Sequence, residues 1–216
     1  MTFNITLIII IITSVTSFMA FRNNALMEKL IFYPPDIAKR KQWYRFFSNG
    51  LIHADIGHLA FNMYSFYLFG NMAERDFAQI FGDNGKLVYV FMYVSALGAC
   101  LVPTYTRHKE NYYYRSLGAS GAVSAVIFAA IFLEPLNGVG LIFIPNLTIP
   151  GFVFGPLFLI ATAYLDKRGG SGINHSAHLW GSVYGIVFLA VMSFALHTGF
   201  NPFTNFANAV QAYFMK

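Results

Sequence analysis

Three residues whose side chains could take part in covalent chemistry stand at matching places along this chain. Ser120 lies in Gly118-Ala119-Ser120-Gly121-Ala122, His178 in Ser176-Ala177-His178-Leu179-Trp180-Gly181, and His58 in His58-Leu59-Ala60-Phe61-Asn62. A serine hydroxyl is a poor nucleophile until a base takes its proton, and neutral imidazole is suited to that task near neutral pH. His58 and Asn62 are four residues apart, so on a helix they share one face. Two such donors could stabilise an oxyanion developing in a water-poor site. Each residue also has a plainer role. Ser120 among small residues suits an N-cap or a close helix contact, and His58 with Asn62 suits hydrogen bonding between helices. Spacing alone does not separate these roles.

The elements that must carry these residues follow from composition. Of 216 residues, 56% are hydrophobic and 11% are charged, against roughly a quarter charged in soluble domains. So few charges cannot cover a surface, so lipid is the expected solvent. Apolar runs recur from end to end and predict an all-α membrane protein, a single domain over 1–216, with transmembrane helices at about 4–21, 57–73, 86–105, 118–134, 150–165 and 176–197. The first run lacks the basic start and small-residue cleavage site of a signal peptide, so a retained helix is expected. The stretch from Arg22 to Asp55 mixes basic and aromatic residues, as headgroup-level segments do, and the tail from Asn201 is expected to lie at the interface. The net charge of +5 comes without a basic stripe or recognised module, which argues against nucleic-acid binding. Cys100 is the only cysteine, so an intrachain disulfide and two-cysteine metal motifs are excluded, and a small buried hydrophobe is expected.

With six crossings, the second, fourth and sixth helices run in one direction. Residues near their starts then share a membrane side and a similar depth, and those residues are His58, Ser120 and His178. Gly181 and Gly185 form a small-xxx-small face on the sixth helix, expected to lie against the fourth at Gly118, Gly121, Ala122 and Ala125. His175, outside the apolar run, is expected to serve the loop or the helix cap.

Taken together these pieces resemble the rhomboid family of intramembrane serine proteases. The resemblance rests on Trp43-Tyr44-Arg45, His58-Leu59-Ala60-Phe61-Asn62-Met63, Gly70 with Glu74-Arg75, Gly118-Ala119-Ser120-Gly121, and Ala177-His178-Leu179-Trp180-Gly181 with Gly185. It implies Ser120 as nucleophile and His178 as general base, with the Ser120 N–H, His58 and Asn62 binding the oxyanion. It implies structural roles for Arg45 and Glu74, an interfacial first loop, a fifth helix acting as lateral gate, and a cap before the sixth helix, where Gly169-Gly170-Ser171-Gly172 is flexible enough. The implied activity is endopeptidase cleavage of transmembrane segments of membrane proteins, at sites that unwind locally, with no metal or cofactor. Two departures from the family stand out. Ser124 sits where some members place an aromatic under the histidine, and the second loop, Arg75 to Gly85, is expected to be longer than the compact version.

The same resemblance puts both termini in the cytoplasm and the active-site loops outside, in the cell inner membrane if the source is bacterial. Yet those loops hold eleven of the 14 lysines and arginines, which the positive-inside tendency assigns to the cytoplasm. Binding of these charges to lipid headgroups would reconcile the two. An inactive rhomboid-like protein that binds membrane clients is the main alternative function, but it predicts loss of the serine or histidine. A small transporter lacks the internal repeat such folds show, and a zinc protease lacks His-Glu-x-x-His.

Overall fold

A computed structural model describes residues 4–140, 148–169 and 172–215. Helix α1 (Ile5–Phe21) starts at Asn4, whose side chain accepts from the Leu7 N–H. Its free amides meet a carboxylate from elsewhere in the chain. The Ile5 and Thr6 N–H groups each donate to Glu74 at 2.9 Å, and Thr6 Oγ1 adds a third bond at 2.9 Å. A helix start offers unpaired N–H groups and positive dipole, so a buried carboxylate is stable there. The charge that ends the apolar run of the second segment is therefore consumed inside the protein, and its helix continues. α5 (Ile56–Phe81) outruns the expected 57–73 and buries Phe77 and Phe81 beyond Glu74. The expected long second loop is a correction for the same reason: only the 3-10 turn Gly82–Asn84 separates α5 from α6 (Gly85–Ala99).

The third expected span, 86–105, is also corrected. α6 ends at Ala99, and α7 (Val102–His108) begins with Pro103 in its first turn. Proline has no N–H to give to the preceding turn, and its ring crowds the carbonyl there. Before α5, the first loop folds as α2 (Asn24–Leu30), α3 (Pro34–Arg40) and α4 (Arg45–Ser48). Buried Arg45 holds it together, donating from Nη1 to the Ile31 and Glu28 carbonyls at 2.7 and 2.8 Å and from Nε to Gln42 at 2.6 Å.

α8 (Ser120–Leu133) is followed by a short antiparallel pair that the apolar pattern did not indicate, β1 (Gly138–Gly140) and β2 (Thr148–Pro150). Then come α9 (Gly151–Arg168), α10 (His175–Ala195) and α11 (Pro202–Phe214). Gly170 and Ser171 of the expected cap lie outside the described residues. Among those residues, two helical stretches are long and apolar enough to cross a membrane: Ile56–His108, which runs through α5, α6 and α7, and His175–Ala195. Ile5–Phe21 and Ser120–Leu133 are apolar but shorter.

α8 sits at the centre. It is apolar all round, and only Ser120, Ile127 and Phe132 escape full burial, so protein surrounds it on every side. Its main partners are α10 and α5, with α6, α9 and α11 around them. The α8–α10 contact is backbone against backbone, since a Cβ at Gly181 would overlap the Gly121 carbonyl and one at Gly185 the Ala125 carbonyl. The expected small-residue face is this contact at Gly121 and Ala125, whereas Gly118, also expected there, lies against the His58 ring. α11 closes the far end, where Asn205 Nδ2 donates to the Leu133 carbonyl at 2.9 Å and Phe206 stacks on Phe132 at 4.6 Å.

Gly185→Leu should lower the thermal midpoint of the detergent-purified protein. Overpacking typically costs about 1–3 kcal/mol, and the loss here should reach the upper part of that range because the obstacle is backbone. An unchanged midpoint would contradict the contact.

Candidate active site

Ser120 is the first residue of α8, so its N–H is one of the four that an α-helix leaves without an internal acceptor. Gly118, two residues earlier, turns the chain with φ +112°, a conformation that disfavours any side chain, and a Cβ there would come within 2.8 Å of the His58 ring. α10 is started by Asn174, whose Oδ1 accepts from the Ala177 N–H at 3.1 Å and from Thr104 Oγ1 at 3.1 Å. The cap is thus Asn174, and His175, expected in the loop or cap, is the first helical residue. One turn on, His178 Nε2 lies 2.7 Å from Ser120 Oγ. The two residues are 58 positions apart in sequence and meet because α8 and α10 touch at glycine.

His58 and Asn62 border the same cavity of about 830 Å³ as Ser120 and His178. Asp55 caps α5 by accepting from the His58 N–H at 2.7 Å. His58 Nδ1 accepts from the Ala54 N–H at 3.4 Å, which assigns the ring proton to Nε2, on the ring edge that faces Gly118. Buried Asn62 donates one amide hydrogen to the His58 carbonyl at 3.0 Å, leaving its second for the cavity. All four residues singled out in sequence are therefore brought together. Ser124 is buried in the cavity wall. An aromatic does approach the His178 ring, but from α9: the Phe158 centroid lies 6.4 Å away. Among the described residues, no group of three or more His, Cys, Asp or Glu side chains is placed to hold a metal.

Sequence reasoning missed His53. It is fully buried, with its ring 5.0 Å from that of His58 and nearly perpendicular to it. Nε2 accepts from the Ala119 N–H at 3.4 Å, so the proton sits on Nδ1, 3.0 Å from Ser17 Oγ, and Ser17 donates on to the Leu51 carbonyl at 3.0 Å. The N–H before Ser120 is thereby tied to α1, and one tautomer of His53 satisfies every polar atom of this relay. No local spacing could have announced this, because Ser17 and Ala119 are remote from His53 in sequence.

Burial, with the His58 ring second, pushes the His53 imidazole from its ordinary 6.5 down to about 4. The unfolded chain therefore takes up this proton at a higher pH than the folded one. Stability should rise as pH increases from about 4 to 6.5 and be fully recovered above that. His53→Gln removes the titration while keeping an acceptor for Ala119. Its thermal midpoint should depend less on pH across this window, and a profile parallel to wild type would contradict the role given to His53.

Comparison with known proteins finds several relatives. A segment of 142 residues is 34% identical to RHOMBOID-like protein 12, mitochondrial, of Arabidopsis thaliana, covering 60% of this chain and 40% of that protein. Over 160 residues the chain is 28% identical to Rhomboid protease GlpG of Haemophilus influenzae, covering 73% of this chain and 74% of GlpG. It is 28% identical over 143 residues to the presenilin-associated rhomboid-like protein, mitochondrial, of Bos taurus, 63% of this chain and 35% of the relative. The chain thus spans less than half the length of two of these relatives. A model of the Rhomboid domain matches residues 40–194, a stretch that holds His58, Asn62, Ser120 and His178, and the chain belongs to the Rhomboid family.

Proposed function

We propose that this chain is an intramembrane serine endopeptidase that cleaves transmembrane segments of other membrane proteins. The observation that carries the reading is the 2.7 Å contact between Ser120 Oγ and His178 Nε2 in a cavity shared with two further donors. Ser120 Oγ attacks the scissile carbonyl carbon as His178 Nε2 takes the hydroxyl proton. The carbonyl oxygen becomes an oxyanion and is met by the Ser120 N–H, the His58 Nε2–H and the second Asn62 amide hydrogen. Collapse breaks the C–N bond, and the leaving amine receives the proton from His178. A water entering the cavity gives its proton to the same nitrogen, attacks the acyl-enzyme and frees Ser120.

Six crossings serve this chemistry: α1, α5, α6 with α7, α8, α9 and α10, with α2 to α4 at the interface and the whole chain acting as one membrane domain. A substrate entering from lipid needs a movable wall, and α9 suits that part. Pro156 lies within α9 and has no N–H for its helix, Gly151 and Gly155 face Ile131 without side chains, and Phe152 is held edge-on by Tyr213 of α11 at 5.4 Å. Phe158, beside His178, belongs to this same helix, so opening the wall would also relax the ring next to the base. The substrate must present an unwound carbonyl, because one inside an intact helix is already hydrogen-bonded. The family resemblance assigns the end carrying Ser120 to the extracytoplasmic side.

Ser120→Ala, His178→Ala and the double variant should fall to about the same residual rate on a model transmembrane substrate, since groups acting as one unit are strongly non-additive. Gel-based cleavage by the reconstituted variants measures this. Full activity in either folded single variant would overturn the assignment.

A further inference from the structure

The loops bordering the cavity are tied to one another, and the ties leave cations standing over aromatic rings at its mouth. Phe32 and Ser116 exchange backbone hydrogen bonds at 2.9 and 3.1 Å, which brings Tyr33 beside Arg115. The Arg115 guanidinium lies 5.2 Å from the Tyr33 ring centre, and Lys39 Nζ lies 4.9 Å from that of Tyr112. The Tyr33 hydroxyl donates to the Tyr112 carbonyl at 3.3 Å, joining the two pairs. Ser116 Oγ accepts from Asn174 Nδ2 at 3.4 Å, so the rim is connected to the residue that caps the His178 helix. Arg115 also lines the cavity that holds Ser120 and His178.

An arginine laid on an aromatic face is partly immobilised while its fork of N–H donors stays available. The Arg115 side chain is 49% exposed and pairs at 3.4 Å with the carboxylate of Glu28, itself 57% exposed. An exposed pair of this kind contributes little to stability. It shows that a carboxylate fits against this guanidinium, and it is weak enough to yield to a competitor. The surrounding field favours negative groups. The loops meeting at this end carry eleven of the 14 lysines and arginines and only five of the 9 acids.

Building on the peptidase reading, we propose that Arg115, braced by Tyr33 and reinforced by Lys39, receives a carboxylate of the substrate. Preferred substrates are then transmembrane segments carrying aspartate or glutamate on the aqueous side of the scissile bond. Arg115 faces the cavity that the scissile segment must enter, which favours the substrate over a lipid headgroup as the source of the negative charge. Headgroups are better served by outlying cations such as Arg40, whose side chain is 71% exposed.

The test uses the full chain in phosphatidylcholine vesicles with three versions of one transmembrane substrate, bearing Asp, Asn or Lys at successive positions on the aqueous side. Wild type should cleave the Asp version about 3- to 10-fold faster in kcat/KM than the Asn version at one or two positions, and the Lys version slowest. Arg115→Glu should reverse the order, favouring Lys over Asp. Equal rates for the three substrates in wild type would overturn the proposal, and so would an order unchanged by Arg115→Glu. It would also fail if activity followed added phosphatidylglycerol equally for all three, since the cations would then serve headgroups. Cleavage of none of them would overturn the peptidase reading as well, which keeps the two failures distinct.

Discussion

The backbone of α10 lies directly on the backbone of α8 because Gly181 and Gly185 present no side chain to Gly121 and Ala125. Within a bilayer, lipid tails are as apolar as the helices, so association must come from close packing and hydrogen bonds rather than from release of water. This contact supplies the packing and also sets the distance at which chemistry is possible. Ser120 begins the helix that carries Gly121, and His178 precedes Gly181 by about one turn. With the two axes this close, the imidazole reaches the hydroxyl at 2.7 Å. Any side chain at Gly181 would separate the helices first, and Ser120 from His178 with them.

Around that contact, three charged or strongly polar groups placed away from water are occupied by helix ends, carbonyls or a hydroxyl. Glu74 takes the free amides of α1, Arg45 gathers carbonyls of the first loop, and His53 bridges Ser17 to the amide before Ser120. These groups would be costly if unpaired, and each joins segments far apart in sequence. They hold the first loop and α1 in register with α8, so His58, Asn62 and Ser120 are built on one frame. Among the described residues, no comparable tie to a neighbouring element lies along the middle of α9. Among the described residues its polar anchors are near its ends, with Arg107 pairing Asp166 at 3.2 Å.

Much of this was legible in the residues themselves, and the failures have physical causes. Periodic placement of His58, Ser120 and His178 at the starts of alternate apolar runs was enough to bring them together, because helix direction alternates across a bilayer. The small-residue face at Gly181 and Gly185 was legible for the same kind of reason. Helix ends were harder. Hydropathy stops the second helix at Glu74, but the carboxylate is hydrogen-bonded by the start of α1 and the helix runs on to Phe81. Hydropathy also carried the third helix past Pro103, where a missing N–H breaks it. His53 and Phe158 were not legible at all, since their partners come from remote segments.

Activation of Ser120 by His178 is tested most directly by covalent capture. A fluorophosphonate reacts readily with a serine whose hydroxyl has a base beside it. The reconstituted protein would be labelled and the adduct located by mass spectrometry, with thermal midpoints recorded to confirm folding. The account predicts one adduct, on Ser120, and its loss in a His178→Ala variant that keeps the wild-type midpoint. A folded protein whose Ser120 stays unlabelled, or a His178→Ala variant labelled at the wild-type rate, would contradict it.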